Sequence, residues 1–140
     1  MEVLTGKLFR LATEYKRRLA AELAGESWAL SAGFRPPCIG VLRMIDDQGP
    51  VSQREISDHL GVDASDLVAV LDILEDAELI DRRRDPTDRR RNAVVVTPEG
   101  RKAAARLNEV MARAEADTLA PLDDGERRTL AELLGKALGD

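Results

Sequence analysis

Over residues 3–24, Leu4, Leu8, Leu11, Tyr15, Leu19 and Leu23 recur at spacings of three and four, the signature of one helix face. A looser stretch, residues 25–35, separates this helix from the next. Pro36-Pro37 opens the second helix, because the first turn of a helix needs no N–H donor. Cys38, Val41, Leu42 and Ile45 form its apolar stripe, and Gln48-Gly49-Pro50 ends it. Ser52-Gln53-Arg54-Glu55 then has the form of a capping box, with Ile56 and Leu60 as the inner face of a short helix that Gly61 closes. Asp63 caps a longer helix striped by Leu67, Val70, Leu71 and Leu74. A short helix, a turn of about three residues containing Gly, and a longer helix in a row have helix-turn-helix spacing.

The period then changes. Residues 80–84 and 92–97, the latter with the run Ala93-Val94-Val95-Val96, predict two short strands. Between them Asp85-Pro86-Thr87-Asp88 carries turn chemistry. Thr97-Pro98 starts a long helix with Leu107, Val110, Met111, Ala114 and Leu119 on one face, broken at Pro121. Residues 123–126 start a last helix striped by Leu130, Leu133, Leu134 and Leu138. The predicted class is mainly α with a small β-hairpin. The apolar faces of the terminal helices exceed what the small middle can cover, so they predict a partner chain.

At 140 residues and 15.4 kDa, with 44% apolar residues, the chain is expected to form one domain with a real core. No apolar run approaches the roughly 18 residues of a membrane span, and the first ten residues hold no signal-peptide core. A single cysteine, Cys38, excludes an intrachain disulfide framework and predicts a reducing, cytoplasmic setting. His59 has no metal-ligand pattern around it, no glycine-rich phosphate loop follows a strand, and no nucleophile has a supporting base. Neither an enzyme nor a cofactor is expected. Four aromatic residues are too few to stack single-stranded nucleic acid.

A formal charge of −5 argues at first against a nucleic-acid partner. That total is unevenly divided. Residues 81–91 hold six arginines against three aspartates, a local +3, which leaves −8 on the remainder. Arginine binds phosphate bidentately and fits a narrow minor groove. The stretch Asp85-Pro86-Thr87-Asp88-Arg89-Arg90, followed by Val94, Thr97 and Gly100, resembles the wing of the MarR family of winged helix-turn-helix regulators, with Val96 in place of the usual Leu. Val41-Leu42, Glu55-Ile56, Leu60-Gly61-Val62 and Leu74-Glu75 fall where that family has its helix-turn-helix landmarks.

The resemblance implies one winged helix-turn-helix domain, with dimerisation helices over about 1–35 and 98–140 and a DNA-binding lobe over about 36–97. It implies a homodimer on a pseudopalindromic site in double-stranded DNA, and a repressor released by a small aromatic or phenolic effector. Arg90 matches the wing-tip arginine and Asp88 the acid that fixes it, with Arg84, Arg89 and Arg91 beside them. Ser65 can donate to a base edge or phosphate, Ala64, Val68 and Ala69 can touch thymine methyls, and Arg43 and Arg54 are candidate phosphate contacts. Two departures stand out. Residues 62–80 hold no Lys or Arg, and Glu78 replaces the Gly usual before the wing. They leave open a second reading, a dimer with weak or lost DNA binding that serves as a ligand- or protein-interaction module. Arg10, Tyr15, Arg17, Trp28, Phe34 and Cys38 lie in segments that could line an effector cavity, and spacing singles out none of them.

Overall fold

The computed structural model describes residues 3–84, 87 and 92–140. Seven helices and three strands follow in the order α1 Leu4–Ala24, α2 Ser27–Ser31, α3 Pro36–Gln48, β1 Val51–Ser52, α4 Gln53–Leu60, α5 Ala64–Asp76, β2 Ile80–Arg84, β3 Asn92–Val96, α6 Pro98–Thr118 and α7 Asp124–Leu138. The expected helices and the hairpin are present. Two elements were not anticipated. Part of the looser stretch 25–35 is helical, because Phe34 folds back and donates its N–H to the Ala29 carbonyl (2.8 Å). A third strand, β1, joins the hairpin on the far edge, giving an antiparallel sheet of order β1-β3-β2. Leu60, expected on the inner face of α4, is exposed, and Ile56 alone of that helix is buried.

The core gathers around α3. Val41, Leu42 and Ile45 meet Ile56 of α4, Leu67, Leu71 and Leu74 of α5, Val94 of β3 and Leu107 of α6. Each large side chain withdrawn from water in this way contributes about 1.5–3 kcal/mol. The helix starts follow their capping chemistry. Ser52 Oγ accepts from Glu55 N–H (3.1 Å), Thr97 Oγ1 accepts from Gly100 N–H (3.0 Å), and Asp123 and Glu126 cap α7 reciprocally. Gly61 ends α4 at φ 65°, a left-handed turn that glycine adopts at no steric cost.

Between α5 and β2 the chain reverses with Glu78 at φ 62°. Glu78 N–H bonds the Glu75 carbonyl and Leu79 N–H the Leu74 carbonyl, both at 2.9 Å, the paired bonds of a Schellman ending. This turn is locked to α6. Thr97 Oγ1 donates to the Glu78 carbonyl (2.7 Å) and Thr97 N–H to the Leu79 carbonyl (3.0 Å). Gly100 sits against it so closely that a Cβ would lie 2.0 Å from the Leu79 carbonyl oxygen. The Thr and Gly of the wing motif are thus packing requirements at the root of the hairpin.

A polar clasp fastens α1 to α6. Arg113 on α6 donates to Glu22 (3.0 Å) and Glu26 (3.2 Å), Arg106 donates to Glu26 (3.0 Å), and the Trp28 indole N–H donates to the same carboxylate (3.1 Å). Glu26 is 13% exposed, and these donors, Arg106 foremost and Trp28 next, hold its carboxyl below the ordinary 4.5.

Two predictions arise from these turns. A left-handed L-residue costs about 1–2 kcal/mol, partly offset by the flexibility glycine adds to the unfolded chain. Glu78→Gly should therefore raise stability by about 0.5–1 kcal/mol, read from chemical denaturation at fixed protein concentration. A drop in stability would show that the Glu78 side chain contributes more than its strain. The depressed carboxyl of Glu26 stabilises the fold above its ordinary value of 4.5. That contribution is lost as pH falls below this value towards the folded-state pKa. Glu26→Gln should show a shallower fall of thermal midpoint with acidification over that window, and an unchanged slope would exclude the clasp as its source.

Candidate nucleic-acid interface

α5 presents two faces. Leu67, Val70, Leu71 and Leu74 are buried, while Ala64, Ser65, Val68, Ala69 and Asp72 are exposed on the outer side. Its N-terminus is set by Asp63, whose carboxylate accepts from Ser65 N–H (3.2 Å) and from the Ser65 hydroxyl. The hydroxyl bond, then the amide bond, hold the Asp63 carboxyl below its ordinary range. The Ser65 proton is accordingly committed to the cap and not presented outward. The turn before α5 is closed from the other side by Ser57, whose hydroxyl donates to the Val62 carbonyl (2.5 Å).

Beside α5 runs β2, paired with β3 from Ile80–Val96 out to Arg84–Asn92. Successive side chains on a strand alternate faces, so Ile80, Arg82 and Arg84 share one side. Ile80 is buried in the core. Arg82, one rung further out, lies against α5. Its Nη2 donates to Asp72 (2.7 Å) and its Nε is 3.5 Å from Glu75. The Arg82 side chain is 26% exposed. On the other face Arg83 pairs with Asp81 at 3.6 Å. Arg84 is exposed at the last rung. Asp85, Asp88, Arg89, Arg90 and Arg91 lie outside the described residues.

The Arg82 contact was not anticipated from the charge count, which treated the six arginines as one group. The two-residue alternation carries the signal, because Arg82 shares the face of Ile80 and must meet whatever covers it. Its consequence is electrostatic. Two of the carboxylates on α5 face an internal cation, so the helix carries less uncompensated negative charge than its composition suggests.

The other candidate residues separate. Arg54 points into solvent with Asp58 at 3.9 Å. Arg43, expected to face phosphate, is exposed on α3, and its charge weakly opposes the upward shift of the Tyr15 phenol. The effector group is divided as well. Cys38 and Phe34 are buried in the core, where burial pushes the Cys38 thiol up, and the partly buried Trp28 packs at a tilt on Phe34 (ring centroids 5.5 Å apart). Arg17 is held by Glu14 (2.6 Å), which Arg17 and then Arg18 pull down to about 2. Arg10 lines an open depression along α1 with Lys7, Phe9 and Glu14. Tyr15 is half-buried, its phenol pushed up by burial and by Glu115, at an apolar groove between α1, α6 and α7. The structure does not bring the six together. Among the described residues no cluster of His, Cys, Asp and Glu could hold a metal, and no helix is long and apolar enough to cross a membrane.

Residues 32–91 match the model of the MarR family. The chain is 31% identical over 137 residues to an uncharacterized HTH-type transcriptional regulator of Bacillus subtilis, an alignment that covers 97% of the chain and 89% of the relative. The chain belongs to the MarR family. MarR family proteins are transcription regulators, and this one is no enzyme. It is also 39% identical over 102 residues to a Thauera aromatica protein named as a candidate regulator of the hcr operon, where the match covers 73% of the chain and 61% of that relative's length. Among solved structures, a MarR family protein of Mycobacterium tuberculosis in complex with DNA matches the whole chain over its own whole length, at 26% identity and a TM-score of 0.82. The same protein has been solved with p-aminosalicylic acid (27% identity, TM-score 0.79, 99% of this chain and 100% of that one).

In this family frame α5 is the recognition helix and the β2–β3 hairpin the wing. Removing the Arg82 guanidinium leaves Asp72 and Glu75 uncompensated beside the recognition helix. Arg82→Ala is expected to weaken duplex binding about tenfold, and adding Asp72→Asn with Glu75→Gln to recover most of it. Titration of a labelled duplex measures both. A triple variant no better than the single one would contradict the charge account.

Proposed function

We propose that the protein is a homodimeric regulator that binds a pseudopalindromic site in double-stranded DNA. It acts inside the cell as a repressor that a small aromatic acid or phenol releases. The observation that carries the DNA reading is the pairing of an exposed α5 face with an arginine-rich hairpin rooted on that helix, in a fold that aligns end to end with a DNA-bound relative. In it, α5 enters the major groove and the wing the flanking minor groove. Arg84, Arg89, Arg90 and Arg91 contact backbone or minor groove, with Asp88 holding Arg90, and Arg54 contacts a phosphate.

Dimerisation is supported by what the chain leaves uncovered. Leu4, Leu8 and Phe9 at the start of α1 and Leu133, Leu134 and Leu138 on α7 are exposed, and no residue of α7 is buried. The open groove of about 340 Å³ between α1, α6 and α7 is almost wholly apolar, as a surface awaiting a second copy would be. Residues of about 1–35 and 98–140 supply this interface in the proposal, and about 36–97 form the DNA-binding lobe. The effector reading rests on the relative's complex with p-aminosalicylic acid, with Arg10 and Tyr15 as the candidates left on this chain.

Selection of bound duplexes from a random pool tests the proposal. An inverted repeat with half-sites about one helical turn apart should be enriched, bound by two chains per duplex. Affinity should fall steeply with salt, and Arg90→Ala should weaken binding across all sequences and flatten the salt slope by about one. A pool with no enrichment would instead favour a dimer that has lost DNA binding.

A further inference from the structure

The outer face of α5 is short of hydrogen-bond donors. It carries no Lys or Arg, and the Ser65 hydroxyl has given its one proton to Asp63. Its acids are largely engaged. Asp63 is the cap, while Asp72 and Glu75 face Arg82. In the major groove, guanine N7 and O6, adenine N7 and thymine O4 are acceptors, which such a face cannot satisfy. Asp66 and Asp76 remain, Asp66 in the first turn as an acceptor suited to an exocyclic amine.

What the face does offer is apolar. Val68 is 44% exposed, and Ala64 and Ala69 flank it in the open. The inner stripe of the same helix is complete without them, since Leu67, Val70, Leu71 and Leu74 are at most 1% exposed. A branched aliphatic side chain left in water on a helix whose core side is already filled is available to an apolar partner. The one apolar group that DNA displays in the major groove is the thymine 5-methyl.

We propose that this regulator reads its operator chiefly through thymine methyl groups, which pack against Val68 and Ala69 with Ala64 at the helix start. The proposal rests on the DNA-binding reading above and specifies how the sequence is recognised. Non-specific affinity then comes from the wing and the backbone contacts, and discrimination comes from the shape and position of methyl groups.

The test uses the full-length protein and the duplex enriched from the random pool. Each thymine is replaced in turn by deoxyuridine, which removes only the methyl. At one or more symmetry-related positions affinity should fall about fourfold, the worth of one methyl group withdrawn from water. In Val68→Ala or Ala69→Gly the penalty at the matching position should shrink towards one, while the salt slope stays that of the parent. A flat uracil scan on a duplex that binds tightly overturns this proposal alone. Penalties that persist undiminished in both variants overturn it too, since the methyl would then be felt through DNA stiffness and not through contact. Failure to enrich any duplex overturns this proposal and the DNA-binding reading together.

Discussion

The ion pair of Arg82 with Asp72 and Glu75 joins helix α5 to the β2–β3 hairpin. The hairpin is held in the core through Ile80 and Val94, and the two-stranded ribbon beyond them would by itself be only marginally ordered. The recognition helix is firmly held on its inner side but acidic outside. A cation from the first drawn against acids of the second answers both needs. It anchors β2 at Arg82, the middle of its five paired residues, and offsets negative charge on α5. The Arg82 side chain is only partly exposed, and two carboxylates beside it offset the water its charge has lost. The knot of Thr97, Gly100 and Glu78 does the same at the inner end of the sheet, so the hairpin is fixed at its root by packing and further out by charge.

Much of this was legible in the order of residues. Helices α1, α3, α5 and α6 announced themselves by stripes at three and four, and their starts by Pro36, Asp63 and Thr97, because capping chemistry is local. The strands appeared through the valine run and the change of period. What was missed was non-local or too short to show a period. The five residues of α2 form because Phe34 returns to Ala29, and the two residues of β1 are a strand only because β3 lies beside them. Leu60 was placed inside by its spacing from Ile56, but it is the last residue of α4 and stands exposed just before the left-handed Gly61.

The candidate site was harder for the same reason. Charge counts along the chain could weigh the hairpin against the rest, but could not say that Arg82 turns inward while Arg83 turns out. Of the aromatic and sulfur residues grouped as effector contacts, Phe34 and Cys38 are buried in the core and Trp28 packs partly buried against Phe34.

The hydrogen bond from the Ser65 hydroxyl to Asp63 has a consequence for how such a protein diverges. Position 65 belongs at once to the helix cap and to the outer face, so a change there alters the start of α5 along with any altered contact. Positions 68 and 69 have no such second duty. Duplicated copies of this chain would therefore drift towards new target sites first through the middle of the helix, and the first turn would stay fixed by its own architecture.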